Sequence, residues 1–202
     1  MKNILVYLIV IFIFFNCSSS KNKDDNSTNK LDKNRYVNNI NSTYNSAYKK
    51  SIEEFYGYFD TEDLKLIKEK LQEKSKHKID FSKTIFIKYL QSGDNCIIEK
   101  IGDYATVLKN IKSQNSKLSE LHNVESFLIF SPTFFQSYYL NEQKDWILDK
   151  GFFKNIIFKK NKNCSSFLAI KPNGNYYLYY GEDSFSEANA ALMKKKWRRI
   201  KN

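Results

Sequence analysis

The chain has 202 residues and a formal charge of +11, from 33 Lys and Arg against 22 Asp and Glu. Its length allows one domain with a single core once residues 1–46 are set aside. Six Gly without a phosphate-cradling spacing, two His and three Cys exclude a nucleotide-binding glycine loop and a multi-histidine or multi-cysteine metal cluster.

Met1-Lys2-Asn3 is a short positive start, and residues 4–15 (ILVYLIVIFIFF) are an unbroken apolar run. A spanning helix needs about 20 apolar residues, so this shorter run reads as an export signal. Asn16-Cys17-Ser18-Ser19-Ser20 follows, a cysteine that closes the apolar run and opens a polar cluster. It resembles the lipobox of bacterial lipoproteins, in which the cysteine is lipidated and becomes the first residue of the mature chain. The resemblance implies a signal peptide over 1–16 and acyl chains on Cys17 seated in a lipid bilayer, each buried CH₂ contributing about 0.8 kcal/mol. Asn16, Phe14 and Phe15 depart from the small residues usual there, which leaves an uncleaved signal anchor as the alternative. Either places the remaining chain at a membrane of the cell envelope.

Residues 17–46 are rich in Ser, Asn, Lys, Asp and Thr and poor in apolar residues. Such a stretch cannot bury enough surface to offset the entropy of ordering its backbone, and it reads as a tether. Within it, Lys23-Asp24-Asp25 resembles the surface-export signals of lipoproteins from the Bacteroidota, which implies the outer membrane and surface exposure. The same charges also serve simply to keep a linker solvated.

The domain is expected over 47–202. Ile52, Phe55 and Phe59 at helical spacing predict a helix over Ser46 to Tyr58. A second helix is expected after Asp60-Thr61, with Glu62 and Asp63 in its first turn, Leu64, Ile67 and Leu71 as its apolar stripe, and the basic run from Lys74 to Lys78 at its end. Residues 84–90 (TIFIKYL) predict a strand closed by Ser92-Gly93-Asp94-Asn95. The next helix starts at Asp94 or Asn95 and carries Ile97, Ile101, Tyr104, Leu108 and Ile111. Residues 126–131 (SFLIFS), ended by Pro132, predict an inner strand, and 133–148 a partly helical aromatic segment. Residues 155–159 and 166–170 read as strands. The latter joins 176–180 through Pro172-Asn173-Gly174-Asn175, a strong hairpin signal. A last helix is expected over 184–199, with Phe185, Ala188, Leu192 and Trp197 inward.

The order of strand, helix, strand, linker, hairpin and helix from Thr84 to Asn202 is similar to the core of the thioredoxin fold, and residues 167–175 (FLAIKPNGN) resemble its hairpin. The resemblance implies a three-layer α/β/α sandwich, here with an N-terminal helical extension. It also implies a redox Cys-x-x-Cys after the first core strand and a proline before the hairpin. This chain has Gly93-Asp94-Asn95-Cys96 and Asn163-Cys164-Ser165 at those places. Both departures argue against ordinary thiol–disulfide exchange. With Cys17 assigned to lipid, Cys96 and Cys164 are the one pair left for an oxidising compartment. The fold would bring their two loops together, so a structural disulfide, two unlinked thiols and a redox pair all stand as readings.

Other chemistry is thin. His77 and His122 lack ligand partners at zinc spacing, no Gly-x-Ser-x-Gly is present, and the paired carboxylates at 53–54, 62–63 and 182–183 read as solvated faces. No catalytic residue, cofactor or metal is therefore expected. Tyr176, Tyr177, Tyr179 and Tyr180 alternate on one strand and are expected to pack, with a glycan or peptide surface as the second use. The cluster Lys194, Lys195, Lys196, Arg198 and Arg199 suits a solvated helix end or an anionic lipid or polymer surface, and nucleic acid is not expected. Three functions follow: a binding or assembly domain for an envelope protein or polymer, a divergent oxidoreductase using Cys96 and Cys164, and a basic membrane-surface or polymer-binding module.

Overall fold

The computed structural model describes residues 36–39, 51–96, 98–99, 103–182, 184–193 and 197. Cys17, the signal and most of the tether, and the basic cluster Lys194, Lys195, Lys196, Arg198 and Arg199 lie outside them. Among the described residues no helix is long and apolar enough to cross a membrane.

The described chain is a mixed α/β fold. In chain order it runs β1 (Tyr36–Asn39), β2 (Glu53–Tyr58), α1 (Thr61–Lys74), β3 (Ile85–Leu90), α2 (Tyr104–His122), β4 (Glu125–Phe130), α3 (Ser137–Asn141), β5 (Trp146–Leu148), α4 (Phe152–Ile156), β6 (Ser165–Ile170), β7 (Asn175–Tyr180) and α5 (Phe185–Met193). One seven-stranded sheet has the order β1-β2-β7-β6-β3-β4-β5. β3, β4 and β5 are parallel, joined by the crossover through α2 and by the segment carrying α3; the remaining pairs are antiparallel.

Helices cover both faces. Ile85, Ile87 and Tyr89 pack with Ile67 and Leu71 of α1 and Phe153 of α4. The alternate residues Phe86 and Leu90 face the other side, where Leu118 and Leu108 of α2, Ala188 and Ala191 of α5 and Leu140 of α3 lie. All six residues of β3 and of β6 are buried, as expected of inner strands covered on both faces. The tyrosines of β7 divide by the same period of two: Tyr176 and Tyr180 lie in one layer, Tyr177 and Tyr179 in the other. The hairpin turns at Gly174, whose φ of +89° and whose contact with the Phe59 carbonyl, 2.6 Å from where a Cβ would sit, both require glycine.

Two expected elements change type. The helix expected over Ser46 to Tyr58 is instead strand β2 over its described second half, paired along its whole length with β7. Phe55 and Tyr56 are both buried, on opposite faces, and meet Tyr180 and Tyr177 at ring distances of 5.8 and 4.8 Å. The N-terminal extension therefore contributes strand as well as the single helix α1. The strand expected over 155–159 is helix α4 followed by irregular chain. Its cause is Asp149, whose carboxylate accepts from the N–H groups of Gly151, Phe153 and Lys154 and so starts a helical turn. In addition α2 begins late: Ile98 and Glu99 are helical, but the long helix is capped by Asp103, which accepts from Thr106 N–H at 3.2 Å. β5 is an unexpected short edge strand.

Candidate functional site

The loop leaving β3 and the loop entering β6 are laced together. Gln91 N–H donates to the Cys164 carbonyl (3.0 Å), Asp94 N–H to Asn161 (3.3 Å) and Asn95 N–H to Lys162 (2.8 Å). Gly93 permits this approach, since a Cβ there would fall 2.5 Å from the Asn163 carbonyl carbon and 2.7 Å from Cys164 N. Cys96 and Cys164 are joined as a disulfide, with Cα atoms 5.0 Å apart across a sequence separation of 68. Cys96 is 2% exposed and Cys164 0%.

Glu182, just beyond β7, closes over the bridge. Its Oε1 accepts from Cys164 N–H at 2.7 Å, and its Oε2 lies 3.0 Å from Cys164 Sγ. Read from sequence, Glu182 belonged to a solvated acidic pair; nothing local marks it, because its partner lies 18 residues away. Cys96, Cys164 and Glu182 have metal-type atoms within 4.8 Å of one another. With the sulfurs bonded to each other neither is a thiolate, so this donor set offers a cation one carboxylate and does not fit a resident metal.

Around the bridge the polar groups form a connected frame. Asn163 accepts from Ser51 Oγ (2.8 Å), donates to the Ser51 carbonyl (2.7 Å) and, through its own carbonyl, accepts from Gln91 Nε2 (3.1 Å). Gln91 Oε1 accepts from Lys154 Nζ at 2.7 Å. Burial holds Lys154 below the usual lysine range, against the opposing pull of Asp149. Tyr89 donates to Asp149 at 2.9 Å, and burial followed by that carboxylate pushes the phenol far above its ordinary value. On the other face of β3, the buried Lys88 ammonium donates to the hydroxyls of Ser165 and Ser184.

This arrangement holds two loops to the sheet. Among the described residues it presents no exposed thiol, and both bridged cysteines are buried. His77 and His122 stand apart from it: His77 is exposed and 3.5 Å from Glu125, and His122 bonds Asn189 at 2.8 Å. No family model matches the chain, and no curated protein or solved structure is similar to it at a significant level.

Proposed function

We propose that the chain is a lipid-anchored envelope protein whose soluble domain is thioredoxin-like and acts by binding or assembly, without catalysis. The observation that carries the noncatalytic reading is the burial of both sulfurs of the Cys96–Cys164 bridge behind Glu182. A thiol oxidoreductase needs at least one accessible, low-pKa cysteine, and a carboxylate beside Cys164 works against a thiolate there. The thioredoxin-like reading is supported by the inner strand order β7-β6-β3-β4, by the parallel β3 and β4 joined through α2, by the β6–β7 hairpin, and by helices on both faces. The anchor rests on the lipobox resemblance at Cys17.

The test has two arms on the full chain expressed in a bacterium. Incorporation of an alkyne-tagged fatty acid should be lost in Cys17→Ala, and labelling of the Ala variant equal to wild type would overturn the anchor. Thiol labelling after equilibration in glutathione buffer at about −200 mV should find Cys96 and Cys164 unreactive; release of the pair at that poise, with rapid alkylation of one thiol at neutral pH, would overturn the noncatalytic reading in favour of an oxidoreductase.

A further inference from the structure

β5 is the last strand of the sheet at its parallel end. Asp149 N–H donates to the Phe130 carbonyl at 2.8 Å. Bonding residues alternate along a parallel strand, so Ile147 faces β4 as Asp149 does, and the N–H and C=O of Leu148 and the C=O of Trp146 point outward. The outward groups have the spacing that another extended backbone would pair with. A groove of about 710 Å³ runs along this edge.

Its charge is one-sided. Five lysines line it, Lys74, Lys76, Lys112, Lys144 and Lys150, against the carboxylates Glu142 and Asp145. Asp145 is taken up by Lys112. Lys144 and Lys150 flank β5 and are exposed, and Lys150 lies within electrostatic reach of the Glu73 carboxylate.

We propose that the open edge of β5 and its lysine-lined groove take up an extended acidic polypeptide segment, added to the sheet as a further strand. The proposal rests on the binding reading above and names its site and partner class. Backbone pairing supplies the match to Leu148 and Trp146, and acidic side chains meet Lys144 and Lys150. A polysaccharide would satisfy the lysines but not the alternating donors and acceptors of the strand edge.

The test is fluorescence anisotropy of a labelled, end-capped nonapeptide alternating Glu and Val, titrated with the full chain in detergent micelles. Saturable binding that weakens with salt is expected, with at least a tenfold loss when Lys replaces Glu in the peptide. The same loss is expected in Lys144→Glu/Lys150→Glu, whose positions are exposed, and in Leu148→Pro, which removes an outward N–H without touching the β4 ladder. Binding equal in all these proteins, no binding at all, or displacement by alginate with Leu148→Pro unaffected would overturn the proposal. A negative result with the disulfide still unreactive removes the β5 edge and leaves the noncatalytic reading standing; reactive thiols remove that reading whatever the peptide does.

Discussion

Gly93 and Cys164 lie so close that a single methyl group separates the folded loop pair from a clash. In Gly93→Ala the new Cβ would meet backbone atoms of Asn163 and Cys164, which cannot rotate away as a side-chain tip can. The expected loss is about 1–3 kcal/mol in chemical denaturation, the range for overpacking a closed site. Tyr89 and Tyr177 give a second prediction, because burial raises both phenols far above the ordinary value of 10.0. Above pH 10 the unfolded chain sheds protons that the folded chain keeps, so stability is intact below pH 10 and falls as pH rises beyond it. The slope is about 1.4 kcal/mol per pH unit for each tyrosine. Denaturation midpoints taken between pH 9 and 11.5, with phenolate absorbance compared with that of Tyr89→Phe and Tyr177→Phe, check it; ionisation of Tyr89 or Tyr177 near pH 10 without unfolding would contradict it. At this scale the count left Cys96 and Cys164 as the one pair for an oxidising compartment, with their disulfide as one of three readings. Glu182 was not legible, since an acidic pair after a strand looks the same whether it faces water or a sulfur.

Elements whose apolar pattern ran long enough were legible in type: α1, β3, β4, β6 and β7 fall where the sequence predicts them, and α5 covers Phe185–Met193 of the helix expected over 184–199, with Trp197 buried but not helical. The failures are short segments decided by tertiary partners. Ile52, Phe55 and Phe59 match a helical stripe at three positions only, and the competing six-residue ladder with β7 makes Glu53–Tyr58 a strand. Residues 155–159 are apolar enough for a strand, yet three N–H groups bonded to the Asp149 carboxylate turn the preceding chain into α4. Removing that carboxylate in Asp149→Ala leaves those donors and the Tyr89 hydroxyl without their acceptor. The expected cost is at least about 3 kcal/mol. Asp149→Asn, which retains one acceptor oxygen, should recover part of it. A cost under about 1 kcal/mol for the alanine variant would contradict this account of α4.

Over the whole molecule, one bridge ties the end of β3 to the start of β6, and with it the parallel half of the sheet to the antiparallel half. Breaking a crosslink over 68 residues of chain is expected to remove about 2–4 kcal/mol, a large share of the stability of a domain this size. The sheet's layering was legible from periodicity, while the joining of its two halves was only one of three readings of the cysteine pair. The position of β2 beside β7 and of β5 on the outer edge was not legible, because neither follows from local pattern.

The reduction potential of the Cys96–Cys164 bridge, measured in the full chain by equilibration in dithiol buffers, tests the noncatalytic account most directly. The account predicts a potential below about −300 mV and no alkylation of the native protein. A potential between about −120 and −230 mV, with one cysteine alkylated rapidly at neutral pH, would contradict it and make the pair a redox centre.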